Sequence, residues 1–120
     1  MNLSKEIQEI KKYNKYGMLK MSNHALFRMK EREITEEKIY EVISKKQTMI
    51  IQYHERHTYH NNDDELFVLY GKATLKDKGV PLHIVIAKKK KEYGVEYRIV
   101  TCYVPSKNLF YAHGRILRGG

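Results

Sequence analysis

The spacing of apolar residues changes once along this 120-residue chain, at about residue 47. Before that point apolar side chains recur every three or four positions, and after it they follow a period of two. Helices followed by consecutive strands predict an α+β domain, because a parallel sheet needs a crossover between each pair of strands. A chain of this length is the usual size of one domain and can bury one modest core.

Three helices are predicted in the first part of the chain, at residues 4–13, about 23–32 and about 36–46. Serine, threonine and asparagine favour the position before a helix, because their side chains accept a hydrogen bond from a free backbone N–H. Ser4 is therefore the predicted N-cap of the first helix, Ser22 or Asn23 that of the second, and Thr35 that of the third.

Four strands are predicted in the second part, at about 48–54, 66–74, 80–88 and 95–104. These segments are rich in Ile, Val, Tyr and Phe and are separated by short polar turns. Because short connections join antiparallel neighbours, the strands should form a four-stranded antiparallel sheet. The expected fold has two to three N-terminal helices packed on one face of that sheet.

The predicted domain is flanked by two short segments. Gly17 ends the first helical pattern, which carries few apolar groups, so residues 1–17 are expected to be a helical appendage packed on one edge. Residues 18–105 form the predicted α+β domain. Residues 106–120 contain basic side chains and no acid, and they are expected to be a loosely ordered basic tail.

Several classes of protein are excluded by composition. No apolar run approaches the roughly 20 residues that span a bilayer, and the opening residues lack the apolar region of a secretory signal. The single cysteine, Cys102, cannot form an internal disulfide or supply a cysteine-based zinc site. The sequence therefore predicts a soluble cytoplasmic domain with no membrane partner.

The charge balance indicates a partner. Lysine and arginine total 23 against 14 acidic residues, which gives a net charge of +9. The excess is spread along the whole chain rather than confined to one tail. Such a balance favours a polyanion, because each phosphate contact releases counterions. A basic surface that serves only solubility is the alternative interpretation.

The second predicted helix carries a polar stripe. At 100° per residue His24, Arg28 and Arg32 fall at about 0°, 40° and 80° around the helix axis, beside the apolar face. An imidazole and two guanidiniums on one ridge suit binding and proton transfer at a phosphate. The alternative is an ordinary basic solvent face with a histidine near the helix start.

Polar residues also occur on two predicted strands. His83 lies in an apolar strand and must be hydrogen-bonded or face a cavity. Thr101 and Tyr103 share one face near the end of the last strand, while Cys102 points to the other. The alternative interpretation of His83 is a core histidine whose hydrogen bonds are satisfied. The alternative for Thr101 and Tyr103 is that they are ordinary strand-forming residues.

Two further groups of residues contain side chains that bind ligands in other proteins. Lys88, Lys89, Lys90 and Lys91 form either a solvated hairpin end or a contact to a nucleic-acid backbone. His54, His57 and His60 have a spacing that binds a metal on a helix, but they follow a strand and precede a polar loop. No metal site and no cofactor are therefore predicted, and the chain has no glycine-rich phosphate-binding motif.

Four motifs in a fixed order resemble a known bacterial and phage domain family of unknown function. They are His24-Ala25-x-x-Arg28-Met29-x-x-Arg32, Ile34-Thr35-Glu36-Glu37, Leu82-His83-Ile84-Val85-Ile86 and Thr101-x-Tyr103-x-Pro105. The family is similar to the RelE/ParE-type toxins of the barnase–EndoU–colicin–RelE-like nuclease superfold. The resemblance covers about residues 20–105 and implies a nucleic-acid cleft between helix and sheet.

The resemblance implies a small metal-independent endoribonuclease, a toxin of a toxin–antitoxin or phage-conflict system, that cleaves RNA by attack of the 2′-hydroxyl on the phosphate. The expected partners are RNA, free or ribosome-bound, and a cognate antitoxin or immunity protein. The alternative is a non-catalytic RNA- or protein-binding module of the same fold. The expected catalytic residues, predicted to line one cleft, are His24, Arg28, His83 and Tyr103. The expected RNA-binding residues are Arg32, Lys88, Lys89, Lys90, Lys91 and Thr101.

Overall fold

A computed structural model describes residues 2–55 and 65–105, and the backbone of residues 110–111 and 116–117. Its elements are α1 (Leu3–Lys15), β1 (Lys20–Met21), α2 (Asn23–Glu31), α3 (Glu36–Ser44), β2 (Met49–His54), β3 (Glu65–Leu75), β4 (Lys78–Lys91), β5 (Gly94–Tyr103), β6 (Phe110–Tyr111) and β7 (Ile116–Leu117). The short strands β6 and β7 pair with each other. The remainder of the tail predicted to be loosely ordered lies outside the described residues.

The main sheet has five strands in the order β1-β5-β4-β3-β2. Strands β2 to β5 form the predicted antiparallel meander. The prediction of a four-stranded antiparallel sheet nevertheless lacks one strand, because β1 adds a fifth that is parallel to β5. This strand is only two residues long, so it is too short to show an alternating pattern. The general α+β class is confirmed, with a mixed sheet.

All three helices begin with the expected capping chemistry, and in two of them the cap is a predicted residue. The Ser22 side chain accepts a hydrogen bond from the N–H of Ala25, and Thr35 accepts one from the N–H of Lys38. The first helix begins at Leu3, one residue earlier than predicted, and its cap is Asn2 rather than Ser4.

The three helices contribute to a core on one face of the sheet, called here the core face. On β4 the side chains of Leu82, Ile84 and Ile86 point into this core and have no exposed surface. From α1, Ile7 and Ile10 belong to the same core. The segment predicted as an appendage therefore shares the core of the domain.

The opposite side of the sheet, called here the second face, carries the alternate residues of the same strands. On β4 these are His83, Val85 and Ala87, since neighbouring residues of a strand point to opposite sides. His83 is fully buried and Ala87 nearly so. His83, Thr101 and Tyr103, three of the polar residues predicted to be functional, therefore lie on the second face.

None of the helices in the described part of the chain is long and apolar enough to cross a membrane.

Candidate functional site

Helix α2 is fixed to the free edge of β5. At its start, the Ser22 N–H donates to the carbonyl of Ile99 at 3.0 Å, and the Ser22 hydroxyl donates to the carbonyl of Val100 at 2.9 Å. At its end, Nη1 of Arg32 donates to the carbonyl of Cys102 at 3.4 Å. Both ends of the helix therefore satisfy backbone oxygens that β1 is too short to reach.

The three members of the α2 stripe have different surroundings. His24 is exposed on the first turn. Arg28 forms an ion pair with Glu31 at 3.1 Å on the open surface. Arg32 lies at the C-cap against β5. Because the helix rises 1.5 Å per residue, His24 lies about 12 Å from Arg32 along the axis.

His83 and Tyr103 are direct neighbours in the register of β4 and β5. Nδ1 of His83 lies 3.3 Å from the Tyr103 hydroxyl, and the two rings meet edge to face with centroids 5.2 Å apart. The ring of Tyr70 approaches the other side of His83, at 6.3 Å between centroids. Two tyrosines from neighbouring strands therefore flank the buried imidazole.

Burial affects the ionisation of Tyr103. It raises the pKa of Tyr103, which is half-buried, because a low-dielectric environment disfavours the phenolate. The shift is away from neutral pH, so Tyr103 keeps its phenolic proton and can donate a hydrogen bond. Burial likewise raises the pKa of Cys102, against the opposing influence of the Arg32 charge.

The structure brings together only part of the predicted cleft. It places His83 against Tyr103, and it places Arg32 against Cys102, the residue that precedes Tyr103. It does not bring His24 to His83, because α2 packs on the core face through Ala25 while His83 projects from the second face. The prediction that both histidines line one cleft is therefore corrected to a smaller group at the end of β5.

The remaining predicted RNA-binding residues are divided between buried and exposed positions. Lys88 is not part of a solvated hairpin end, since its Nζ forms an ion pair with Glu6 at 2.6 Å and its side chain is only 15% exposed. Lys89 and Lys90 are exposed. Lys91, the last residue of β4, forms an ion pair at 2.8 Å with Glu96, which lies at the far end of β5 from Tyr103. Thr101 is half-buried on the second face, opposite Val85.

Sequence reasoning missed two polar residues of the second face. Tyr70 lies beside His83, and Glu96 lies among three cations near the start of β5. The signal for Glu96 is present in the sequence, because Glu96 and Arg98 alternate with apolar residues along the predicted strand. No local signal identifies Tyr70, whose contact with His83 depends on the pairing of β3 with β4.

A cavity of about 820 Å³ lies beside β3, two strands away from β5, and shares Tyr70 with the group around His83. The Lys45 ammonium group donates to the carbonyl of Lys72 at its margin, at 2.9 Å. It is lined by Lys45, Gln47, Thr48, Met49, Tyr70, Gly71 and Lys72.

Among the residues that the structure describes, no group of three or more histidines, cysteines or acidic residues could hold a metal ion. His54 is exposed at the end of β2. His57 and His60, which share the three-residue spacing with His54, lie outside the described residues.

The fold and this site define a small basic α+β domain with polar groups at the C-terminal end of β5, the strand next to the edge of the sheet. The family model of DUF4258, a domain of unknown function, matches residues 21–104, and the chain belongs to this family. The match extends from the end of β1 to just beyond β5, so it includes α2, His83 and Tyr103. No curated protein and no solved structure matches the chain.

Proposed function

We propose that this domain is a metal-independent endoribonuclease of the RelE-like toxin type and that it cleaves RNA at the C-terminal end of β5. The observation that supports this most is the contact between buried His83 and the hydroxyl of Tyr103, on the strand that Arg32 contacts. A fixed phenol, with a guanidinium that contacts the preceding residue of the strand, suits the charge and proton demands of a phosphate in reaction.

The proposed reaction is a transesterification. The 2′-oxygen of the RNA attacks the adjacent phosphorus, and the bond from phosphorus to the 5′-oxygen breaks. The 2′-hydroxyl proton passes to water, and Tyr103 donates its phenolic proton to the departing 5′-oxygen, then recovers a proton from solvent. The products are a 2′,3′-cyclic phosphate and a free 5′-hydroxyl. A positioned proton donor contributes about 10²–10⁴-fold to such a step.

Arg32 supplies the positive charge in this proposal. Its hydrogen bond to the Cys102 carbonyl is long, at 3.4 Å, and its side chain is exposed. A guanidinium has five N–H donors, so others can reach a phosphate while one holds the strand. Loss of one such donor typically costs about 10²–10³-fold in rate. Arg28, one turn earlier on α2, is the second candidate for this role.

His83 and His24 receive different roles from those expected of an acid–base pair. His83 has no exposed surface, so it does not touch RNA and acts as a positioning residue that orients the Tyr103 hydroxyl. His24 lies too far along α2 to share a phosphate with Arg32, so it contacts a more distant part of the RNA. In this proposal Tyr103 is the one side chain that transfers a proton to the substrate, and water accepts the proton of the 2′-hydroxyl.

The alternative is a non-catalytic RNA- or protein-binding module, and the separation of the two histidines favours it. Both alternatives use the same basic surface, and both leave room for a cognate antitoxin or immunity protein. They differ in whether the bound phosphate turns over. The choice between the nuclease and the binding module therefore depends on whether Tyr103 acts on the bound RNA, not on how tightly the RNA binds.

The test is incubation of the purified chain with end-labelled RNA in EDTA, with free RNA and translating ribosomes as separate substrates. We expect cleavage that leaves 2′,3′-cyclic phosphate ends. Tyr103→Phe should lower the rate by about 10²-fold or more, while the matched control Tyr93→Phe, at a 94% exposed position, should retain it. Wild-type cleavage by Tyr103→Phe would remove Tyr103 from the mechanism. Binding of both RNAs without cleavage would establish the binding module.

A further inference from the structure

Three cations surround one carboxylate near the start of β5. Glu96 Oε1 lies 2.9 Å from Nζ of Lys20 and 2.8 Å from Nζ of Lys91, and Glu96 Oε2 lies 3.2 Å from Nη2 of Arg98. Three positive groups and one negative group leave a local charge of +2. We call this group the Glu96 cluster.

The carboxylate of the cluster is covered and its cations are presented outward. The Glu96 side chain is 10% exposed, whereas those of Lys20, Lys91 and Arg98 are 57%, 50% and 49% exposed. An ammonium has three N–H donors and a guanidinium five, so each cation keeps donors for a second anion. Because the cations already share one anchor, less side-chain entropy is lost when an anion binds.

The cluster and the proposed reaction site share one face of one strand. Glu96 pairs with Lys89 and Arg98 with Ala87, which place both on the second face. The register then shifts between Val85 and Ile86. Because this irregularity adds one residue to β5, Thr101 and Tyr103 return to that same face.

The distance between the two sites fits an extended ligand rather than a single phosphate group. Arg98 and Tyr103 are five residues apart, which corresponds to about 17 Å along a strand. Thr101, half-buried, lies between them. The Glu96 cluster and Arg32 therefore place positive charge at both ends of a polar path along β5.

We infer that the Glu96 cluster is a second phosphate-binding site, which holds single-stranded RNA several nucleotides from the bond that reacts at Tyr103. This inference rests on the proposed function for the identity of the polyanion. The single strand lies along the second face of β5, with its backbone on Lys20, Lys91 and Arg98. The cluster sets affinity and register, whereas Tyr103 and Arg32 act on the reacting phosphate.

The test uses a fluorescent RNA oligonucleotide with 2′-O-methyl groups, which binds but cannot be cleaved, and measures anisotropy over a salt series. Arg98→Ala should weaken binding several-fold and lower the slope of log affinity against log salt by about one. Lys91→Ala, at the hairpin end, should behave similarly and provides a second variant if Arg98→Ala is poorly folded. The matched control is Lys76→Ala, which removes the same charge at an 85% exposed position on the β3–β4 turn.

Oligonucleotide length and cleavage kinetics separate this inference from the proposed function. Arg98→Ala should raise KM on a long cleavable RNA with kcat unchanged, and it should have no effect on a dinucleotide. If Arg98→Ala, Lys91→Ala and Lys76→Ala bind alike while RNA is still cleaved, the second site is wrong and the nuclease stands. If binding depends on Arg98 but no RNA is cleaved, the site stands and the nuclease is wrong.

Discussion

Alternate residues of β4 lie in two different environments. On the core face, Leu82, Ile84 and Ile86 pack beneath the helices, with no exposed surface and no polar group between them. On the second face, His83 contacts the hydroxyl of Tyr103, and charged residues continue the polar surface along β5. One side of the strand therefore stabilises the fold, while the other carries the groups that can bind and react.

The difference shows how a small domain keeps polar chemistry next to its core. The helices are confined to one side of the sheet, so apolar burial does not require the second face to be apolar. Helix α2 connects the two sides, since its Ala25 enters the core while Arg32 reaches the edge of β5. Substitutions on the core face should consequently change stability, and those on the second face should change function.

The largest effect on stability is expected from the core face. Ile84→Ala should lower the free energy of unfolding by about 2–5 kcal/mol, because it removes buried methyl groups and leaves a cavity. Val85→Ala, the matched substitution at the next, half-buried position, should cost less. Urea unfolding of both variants measures the difference. Equal losses would contradict the distinction between the two faces.

A smaller loss of stability with a larger loss of activity is expected at His83. His83→Leu keeps a similar volume but leaves the Tyr103 hydroxyl without its partner, at a cost of about 1–3 kcal/mol. Because His83 orients the proton donor, kcat should fall while KM stays unchanged. His83→Gln should recover part of kcat. A parallel change in kcat and KM in the folded His83→Leu protein would show that His83 is only structural.

Ile84 and His83 also show what the sequence alone could predict. Alternation along residues 82–87 correctly put Ile84 in the core and His83 on the other side. The helical spacing of residues 24–32 correctly put His24 and Arg32 beside the apolar face of α2. It could not show on which side of the sheet that helix packs, because the direction depends on contacts between distant parts of the chain.

Other differences between the predicted and the observed structure also arise from contacts between distant parts of the chain. Strand β1 exists only because residues 20–21 pair with β5, so no local pattern predicts it. The buried ion pair of Lys88 joins it to Glu6, 82 positions away. The second cap hydrogen bond of Ser22 is likewise made to β5. Local chemistry identified caps, periodicity and polar candidates, whereas their grouping required the tertiary structure.

The two capped helices provide a matched comparison of intermediate size. Ser22→Ala and Thr35→Ala should each cost about 1 kcal/mol, because each removes the acceptor for one free N–H of a helix. Only Ser22 also donates to the carbonyl of Val100 and so fixes α2 against β5. Ser22→Ala should therefore lower RNA cleavage, and Thr35→Ala should not. Equal activities at equal stability would show that the position of α2 is irrelevant to the site.

The smallest effect is expected at Glu96 near neutral pH, because ion pairs with exposed partners contribute about 0.2–1 kcal/mol each. The difference in stability between Glu96→Gln and wild type should shrink on acidification. Hydrogen bonds from Lys91 and Lys20 lower the pKa of Glu96 from 4.5 to about 2, against the opposing effect of burial. A carboxyl whose pKa is lower in the folded state stabilises the protein above its unfolded value of about 4.5, and this contribution is lost as the pH falls towards 2.

Glu96→Gln should therefore reduce the loss of stability between pH 4.5 and 2, as followed by thermal unfolding. Glu92→Gln, on the exposed β4–β5 turn, is the control and should leave the pH profile unchanged. An identical acid profile in Glu96→Gln and wild type would contradict the proposed strength of the cluster.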